Sequence, residues 1–91
     1  MRLRARTDEN QREIVAALRK AGRSVVTLHQ VGKGVPDLLV GYRGQNFLLE
    51  IKVPGGDLTD DQIEFEQTWR GDVIVARSPA EAIEATQAVV F

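Results

Sequence analysis

The chain has 91 residues, of which 43% are hydrophobic and 27% charged, with a net charge of −1; this fits one small globular domain with a modest core, for which self-association is an expectation. It contains no cysteine and a single histidine, which excludes disulfides and thiolate metal sites and leaves a histidine-based zinc site short of ligands. No apolar run approaches the roughly 20 residues of a membrane span, and the basic start MRLRARTDENQRE lacks the apolar region of a secretory signal.

Charge is unevenly distributed. Residues 1–23 carry Arg2, Arg4, Arg6, Arg12, Arg19, Lys20 and Arg23 against Asp8, Glu9 and Glu13, whereas the remainder is acidic. A basic segment on an acidic body is compatible with contacts to a phosphate backbone at one edge. The plain alternative is an exposed arm and a solvated helix face, and charge alone favours it.

In chain order, residues 8–22 are predicted to be a helix. Thr7 or Asp8 can cap its start, Gly22 can end it, and Ile14, Ala17, Leu18 and Ala21 form its apolar stripe. The β-branched stretch SVVTLHQV (24–31) predicts a strand, broken by GKGVP. DLLVGY and FLLEIKV predict two more strands joined by the turn composition RGQN. Thr59 with Gln62, and Ser78 with Glu81, fit the capping-box spacing, and Pro79 suits a first helical position. Helices are therefore expected over 60–70 and 79–89, with the short strand DVIVAR (72–77) between them. The order α-β-β-β-α-β-α predicts an α/β fold with a mixed sheet flanked by helices, in which the strand before the second helix lies parallel to the strand after it.

Asp37, Glu50 and Lys52 stand in the otherwise apolar hairpin GVPDLLVGYRGQNFLLEIK. Glu50 and Lys52 share a sheet face because side chains alternate along a strand. If RGQN is a four-residue loop, Tyr42 pairs with Phe47; if only Gly44 and Gln45 turn, Arg43 pairs with Asn46. Both registers put Asp37 opposite Lys52 and diagonal to Glu50 on one face, roughly 7–8 Å apart at the backbone. A three-residue loop would send Asp37 to the other face. Two carboxylates close together among Leu38, Leu39, Val40, Leu48, Leu49, Ile51 and Val53 repel each other and lose hydration, and a divalent cation removes both penalties. Such a cation would be a hard one held by oxygen ligands. The alternative from the same residues is a cross-strand Asp37–Lys52 salt bridge with an exposed Glu50.

Pro36–Asp37 before one strand and Glu50–Ile51–Lys52 on the next resemble the motif of the PD-(D/E)xK nuclease superfamily. The similarity covers roughly residues 8–78 and is carried by NQREIVAALRKAG, VGKGVPDLLVG, LLEIK and LTDDQIEFEQTW. It is nearest to small stand-alone phage and bacterial members beside the VRR-NUC and archaeal Holliday-junction resolvase groups. The resemblance implies a restriction-endonuclease-like mixed sheet and a single nuclease domain over 1–91, with residues 1–7 as a basic N-terminal arm. It implies a cytoplasmic protein of a bacterium or phage-infected cell, acting as a homodimer on DNA, possibly branched, with no membrane and no nucleotide cofactor.

The same resemblance implies that Asp37, Glu50 and the Ile51 carbonyl hold Mg²⁺ or Mn²⁺, while Lys52 orients water and stabilises charge at phosphorus. Gln62 would be a functional glutamine of the helix after the motif; its other role is the cap from Thr59. Glu13, with Glu9 next, is the first-helix acid, although resolvase relatives align theirs nearer Gln11, an amide here. Asn10 and Gln11 are then either partners of a metal-bound water or surface residues. Lys33, Arg70 and Arg77 are candidate phosphate contacts, Arg77 matching an arginine near the end of the fourth strand; the rest of the VRR-NUC motif is not evident. A solvated lysine is the simpler role for Lys33. His29 is either a proton shuttle or a structural strand histidine. Phe65 and Trp69 are expected to serve core or dimer packing. Other activities compatible with the chain are a nicking or repair nuclease on duplex or flap DNA, a catalytically silent nucleic-acid-binding module, and a small structural or regulatory protein whose basic N-terminus docks a partner.

Overall fold

A computed structural model describes residues 3–88. Seven elements follow in the expected order: α1 (Leu3–Lys20), β1 (Ser24–Thr27), β2 (Leu38–Tyr42), β3 (Gln45–Ile51), α2 (Asp60–Thr68), β4 (Ile74–Ala76) and α3 (Pro79–Ala85). The four strands form one mixed sheet in the order β1-β2-β3-β4; the first two pairings are antiparallel and β3·β4 is parallel, as expected for strands joined through a helix. Among the described residues no helix is long and apolar enough to cross a membrane.

Several boundaries differ from expectation. Helix α1 begins at Leu3, so Thr7 and Asp8 lie within it and do not cap it, and residues 3–7 belong to the helix and not to an arm. Leu, Arg and Ala are strong helix formers and extend the helix backwards without a polar stop. Residues 1–2 of that arm lie outside the described residues. β1 ends at Thr27, where the β-branched run ends; Leu28 N–H donates to the Asp37 carbonyl at 2.8 Å and residues 28–31 form a turn closed by Val31 N–H on the Leu28 carbonyl. β4 is only Ile74–Ala76, α2 stops at Thr68 and α3 at Ala85; residues 89–91 lie outside the description.

The hairpin register is the main correction. Tyr42 pairs with Gln45 and Leu38 with Leu49, so the turn is Arg43–Gly44 and neither expected register holds. Both turn residues have positive φ, 49° and 79°, the signature of the mirror-image turns that match the twist of two-residue hairpins. The pairing is displaced by two residues, an even number, so every side chain keeps its expected face.

One sheet face carries Val25, Leu38, Val40, Leu49, Ile51 and Ala76, all buried against Ile14 and Leu18 of α1 and Ala82 of α3. Each fully buried aliphatic side chain contributes roughly 1.5–3 kcal/mol relative to exposure. The opposite face carries Asp37, Leu39, Leu48, Glu50 and Lys52, with α2 beside it. Helix α2 buries none of its own side chains, so its ends matter: the capping box of Thr59 and Gln62 is complete. The second box is half made. Ser78 accepts from Glu81 N–H, but the Glu81 carboxylate turns to Arg77 N–H at 3.0 Å.

Arg23, only 8% exposed, ties the two helices of the core face together. Its guanidinium donates to Thr86 Oγ1 and to the carbonyls of Ala21 and Ile83 at 2.8–3.2 Å, and it stacks 3.7 Å above the Tyr42 ring. A cation at the last carbonyls of α3 is placed where the helix dipole favours it. Arg23→Ala should cost about 2–3 kcal/mol in chemical denaturation, with Arg23→Lys in between because an ammonium cannot reproduce the fork. A loss below about 0.5 kcal/mol would mean these contacts are dispensable.

Candidate active site

Pro36 is fully buried and anchors the chain as it enters β2. Extending the Leu38–Leu49 pairing by one step sets Asp37 directly opposite Glu50, closer than the diagonal expected from the sequence. Asp37 Oδ2 accepts the Ile51 backbone N–H at 2.7 Å, which pins that carboxylate against β3. Lys52 follows on the same face, with Nζ 3.9 Å from Glu50 Oε1. The partner of Lys52 is thus Glu50, and the expected alternative of an Asp37–Lys52 bridge with an exposed Glu50 does not describe the site: Glu50 is 3% exposed.

Gln62 makes the expected cap and also reaches Glu50. Its Oε1 accepts Thr59 N–H at 2.9 Å, completing the cap, while its Nε2 donates to Glu50 Oε1. The two ends of one amide serve the helix and the acid at once. Among the described residues no partner hydrogen-bonds Glu50 Oε2, which is buried. Burial, and after it the charge of Asp37, pushes the Glu50 carboxyl from its usual 4.5 up to about 8, against a downward pull from Lys52. A buried acid pair with an oxygen lacking any donor suits a hard divalent cation, which Mg²⁺ sites commonly hold through one or two carboxylates.

The other expected residues do not converge there. Glu13 is exposed on α1, which packs against the opposite sheet face, and among the described residues no third acid joins Asp37 and Glu50 in a metal-sized group. Ile51 is where expected, its N–H committed to Asp37. Arg77 donates from Nη1 to the carbonyls of Val53 and Gly56 at 3.4 and 3.1 Å, which holds the loop after β3. Lys33 is exposed beside a cleft lined by Asp61, Glu64, Phe65 and Thr68, an acidic setting. Arg70 is exposed just past α2. His29 is exposed in the turn after β1, not on a strand. Phe65 and Trp69 stack with centroids 5.3 Å apart, and Trp69 is 49% exposed, which removes it from the core.

Two positions had weak sequence signals. Asn10 does not face the acids: its side-chain amide donates to the carbonyls of Lys52 and Arg77 at 3.1 and 3.3 Å. Gly34 reads in sequence only as a strand breaker. Its φ is +77°, and a Cβ there would lie 2.1 Å from the Asp61 carbonyl oxygen, so the loop and the first turn of α2 are in backbone contact. That contact sets the height of α2 above the sheet and so delivers Gln62 to Glu50.

Comparison with protein-family models, with curated proteins and with solved structures returns no match to this chain.

Two outcomes are expected. Gly34→Ala should destabilise by more than about 1 kcal/mol, through strain at positive φ and displacement of α2; thermal unfolding and the emission of Trp69, the sole tryptophan, would both move. Metal-free protein should lose stability as pH rises from about 4.5 to about 8. The folded state holds its proton on Glu50 through this window while the unfolded chain releases it, so unfolding is progressively favoured, by roughly 3–5 kcal/mol from this group. Denaturation in chelator should show the slope in wild type and a flattened one in Glu50→Gln; an unchanged slope in that variant would assign it to another group.

Proposed function

We propose that this chain is a Mg²⁺- or Mn²⁺-dependent DNA endonuclease with a restriction-endonuclease-like core, hydrolysing phosphodiester bonds as a homodimer on branched DNA. The observation that carries the reading is the buried pairing of Asp37 with Glu50, one carboxylate oxygen lacking a donor, beside the Lys52 ammonium on the same sheet face. A purely structural pair of acids is costly to bury, and an apolar pair would be cheaper. The resemblance of Pro36–Asp37 and Glu50–Ile51–Lys52 to the PD-(D/E)xK motif adds the reaction class.

Asp37 and Glu50 would hold the cation. Bound there, it would acidify water and polarise the phosphate. Glu50 keeps its side chain aimed through Gln62, and Asp37 keeps its own through the Ile51 N–H. Lys52 would orient the attacking water and meet the negative charge that builds on the phosphate. Hydrolysis adds the water oxygen to phosphorus and breaks the bond to O3′, which takes a proton; the ends are 5′-phosphate and 3′-hydroxyl. Two sites related by a two-fold axis would cut two strands symmetrically.

Cleavage of four-way junction, flap, duplex and single-stranded DNA in Mg²⁺ or Mn²⁺ tests the reading, with the branched substrate expected to be cut fastest. Calorimetric titration with Mn²⁺ should show binding that Asp37→Ala removes. Lys52→Ala should bind Mn²⁺ like wild type and lose at least about a hundredfold in cleavage rate. Parental cutting by that variant would end its assigned role, and absence of both metal binding and cleavage would leave a structural acid pair. DNA affinity should fall steeply with salt.

A further inference from the structure

The contact between Lys52 and Glu50 does not fix the lysine. At 3.9 Å it is longer than the 2.7–3.2 Å of a hydrogen bond, so the ammonium is drawn towards the acid without being locked to it. A four-carbon stem with rotatable bonds is then only as well placed as the backbone that carries it. Lys52 lies one residue past the end of β3, where the ladder with β4 is running out: Ile51 is opposite Ala76, and the last bond is Lys52 N–H to the Ala76 carbonyl at 3.1 Å. Beyond it, the carbonyls of Lys52 and Arg77 are taken up by the two hydrogens of one side-chain amide, that of Asn10, reaching across from α1. The amide thereby continues the parallel ladder after the strands have parted. The Lys52 peptide is held on both sides, by β4 through its N–H and by α1 through its carbonyl.

We propose that Asn10 is a positioning residue for Lys52: by bridging the ends of β3 and β4 from α1, it holds the Lys52 backbone so that the ammonium stays beside Glu50. The catalytic consequence rests on the nuclease reading above; the placement of Lys52 does not. Asn10 touches neither acid. Its action is geometric, and misplacing a catalytic group by about 1 Å costs on the order of a hundredfold in rate.

The test uses the full chain with ¹³C-labelled lysine, which contributes only Lys20, Lys33 and Lys52. In wild type the Lys52 ε-carbon should be distinct in shift from the other two, and Glu50→Gln should move it because the carboxylate lies beside the ammonium. In Asn10→Ala that distinct shift should be lost or much reduced while the Lys20 and Lys33 signals stay put, kcat for cleavage should fall by about tenfold to a hundredfold, and KM and Mn²⁺ affinity should stay within about twofold. Asn10→Ser, with one donor and so one carbonyl, should fall between; it carries the same comparison if the alanine variant unfolds. An unmoved Lys52 signal in either variant overturns the proposal, as does a rate loss that appears in KM or follows melting temperature alone. If wild-type protein cuts no DNA, the nuclease reading falls, and the Lys52 signal still decides what Asn10 does.

Discussion

Arg43 and Gly44 reverse the chain with both φ angles positive, and the rest of the molecule depends on that two-residue turn. It sets Leu38 against Leu49 and therefore all the large aliphatic side chains of β2 and β3 on the face covered by α1 and α3. By the same parity it throws Asp37 and Glu50 together on the other face. One inserted residue would exchange the two faces, burying the acids in the core and exposing the leucines. Core and acid pair are thus two results of one constraint, and neither can be altered by a register slip without losing the other.

The acid pair in turn explains the polar arrangement around it. Glu50 is buried beside a second acid, and burial with that neighbour's charge pushes its carboxyl up to about 8, a condition that a salt bridge at full contact would relieve. Here Lys52 stands off, Gln62 supplies one hydrogen bond, and the remaining oxygen has no donor among the described residues. Bonds from elsewhere are spent on keeping the frame in place: Arg77 on the loop after β3, Asn10 on two strand ends, and Asp37 on the Ile51 amide. The cost left at Glu50 is one that a bound cation would relieve.

Much of this was legible in the residues because it depends on period and local chemistry. The apolar alternation of LLVGY and QNFLLEI, the Thr59–Gln62 cap and Pro79 at a helix start are short-range signals, and they gave the right elements in the right order. Shared face for Asp37, Glu50 and Lys52 was also legible, since it needs only an even loop. The register itself was not, because Arg43 is an unusual residue at positive φ and asparagine or glycine would have been the expected marker. The roles of Arg77, Asn10 and Glu13 were illegible for a different reason. Which carbonyl or acid a long side chain meets is decided by how α1 crosses the sheet, and no local pattern encodes that crossing. The start of α1 was not legible because LRAR contains no capping residue or helix breaker to mark it.

Helix α2 buries no side chain of its own. Nine residues are too few to persist in water unaided. The helix meets the rest of the molecule through the backbone contact at Gly34 and the bond from Gln62 to Glu50, and its start is capped by Thr59. Such a segment can detach while the sheet and the other two helices remain folded, a partial opening far cheaper than global unfolding. Because Gln62 is shared between cap and carboxylate, whatever alters the charge or coordination of Glu50 also shifts that opening. The stability of this helix and the ionisation of the acid beneath it are therefore linked through one amide.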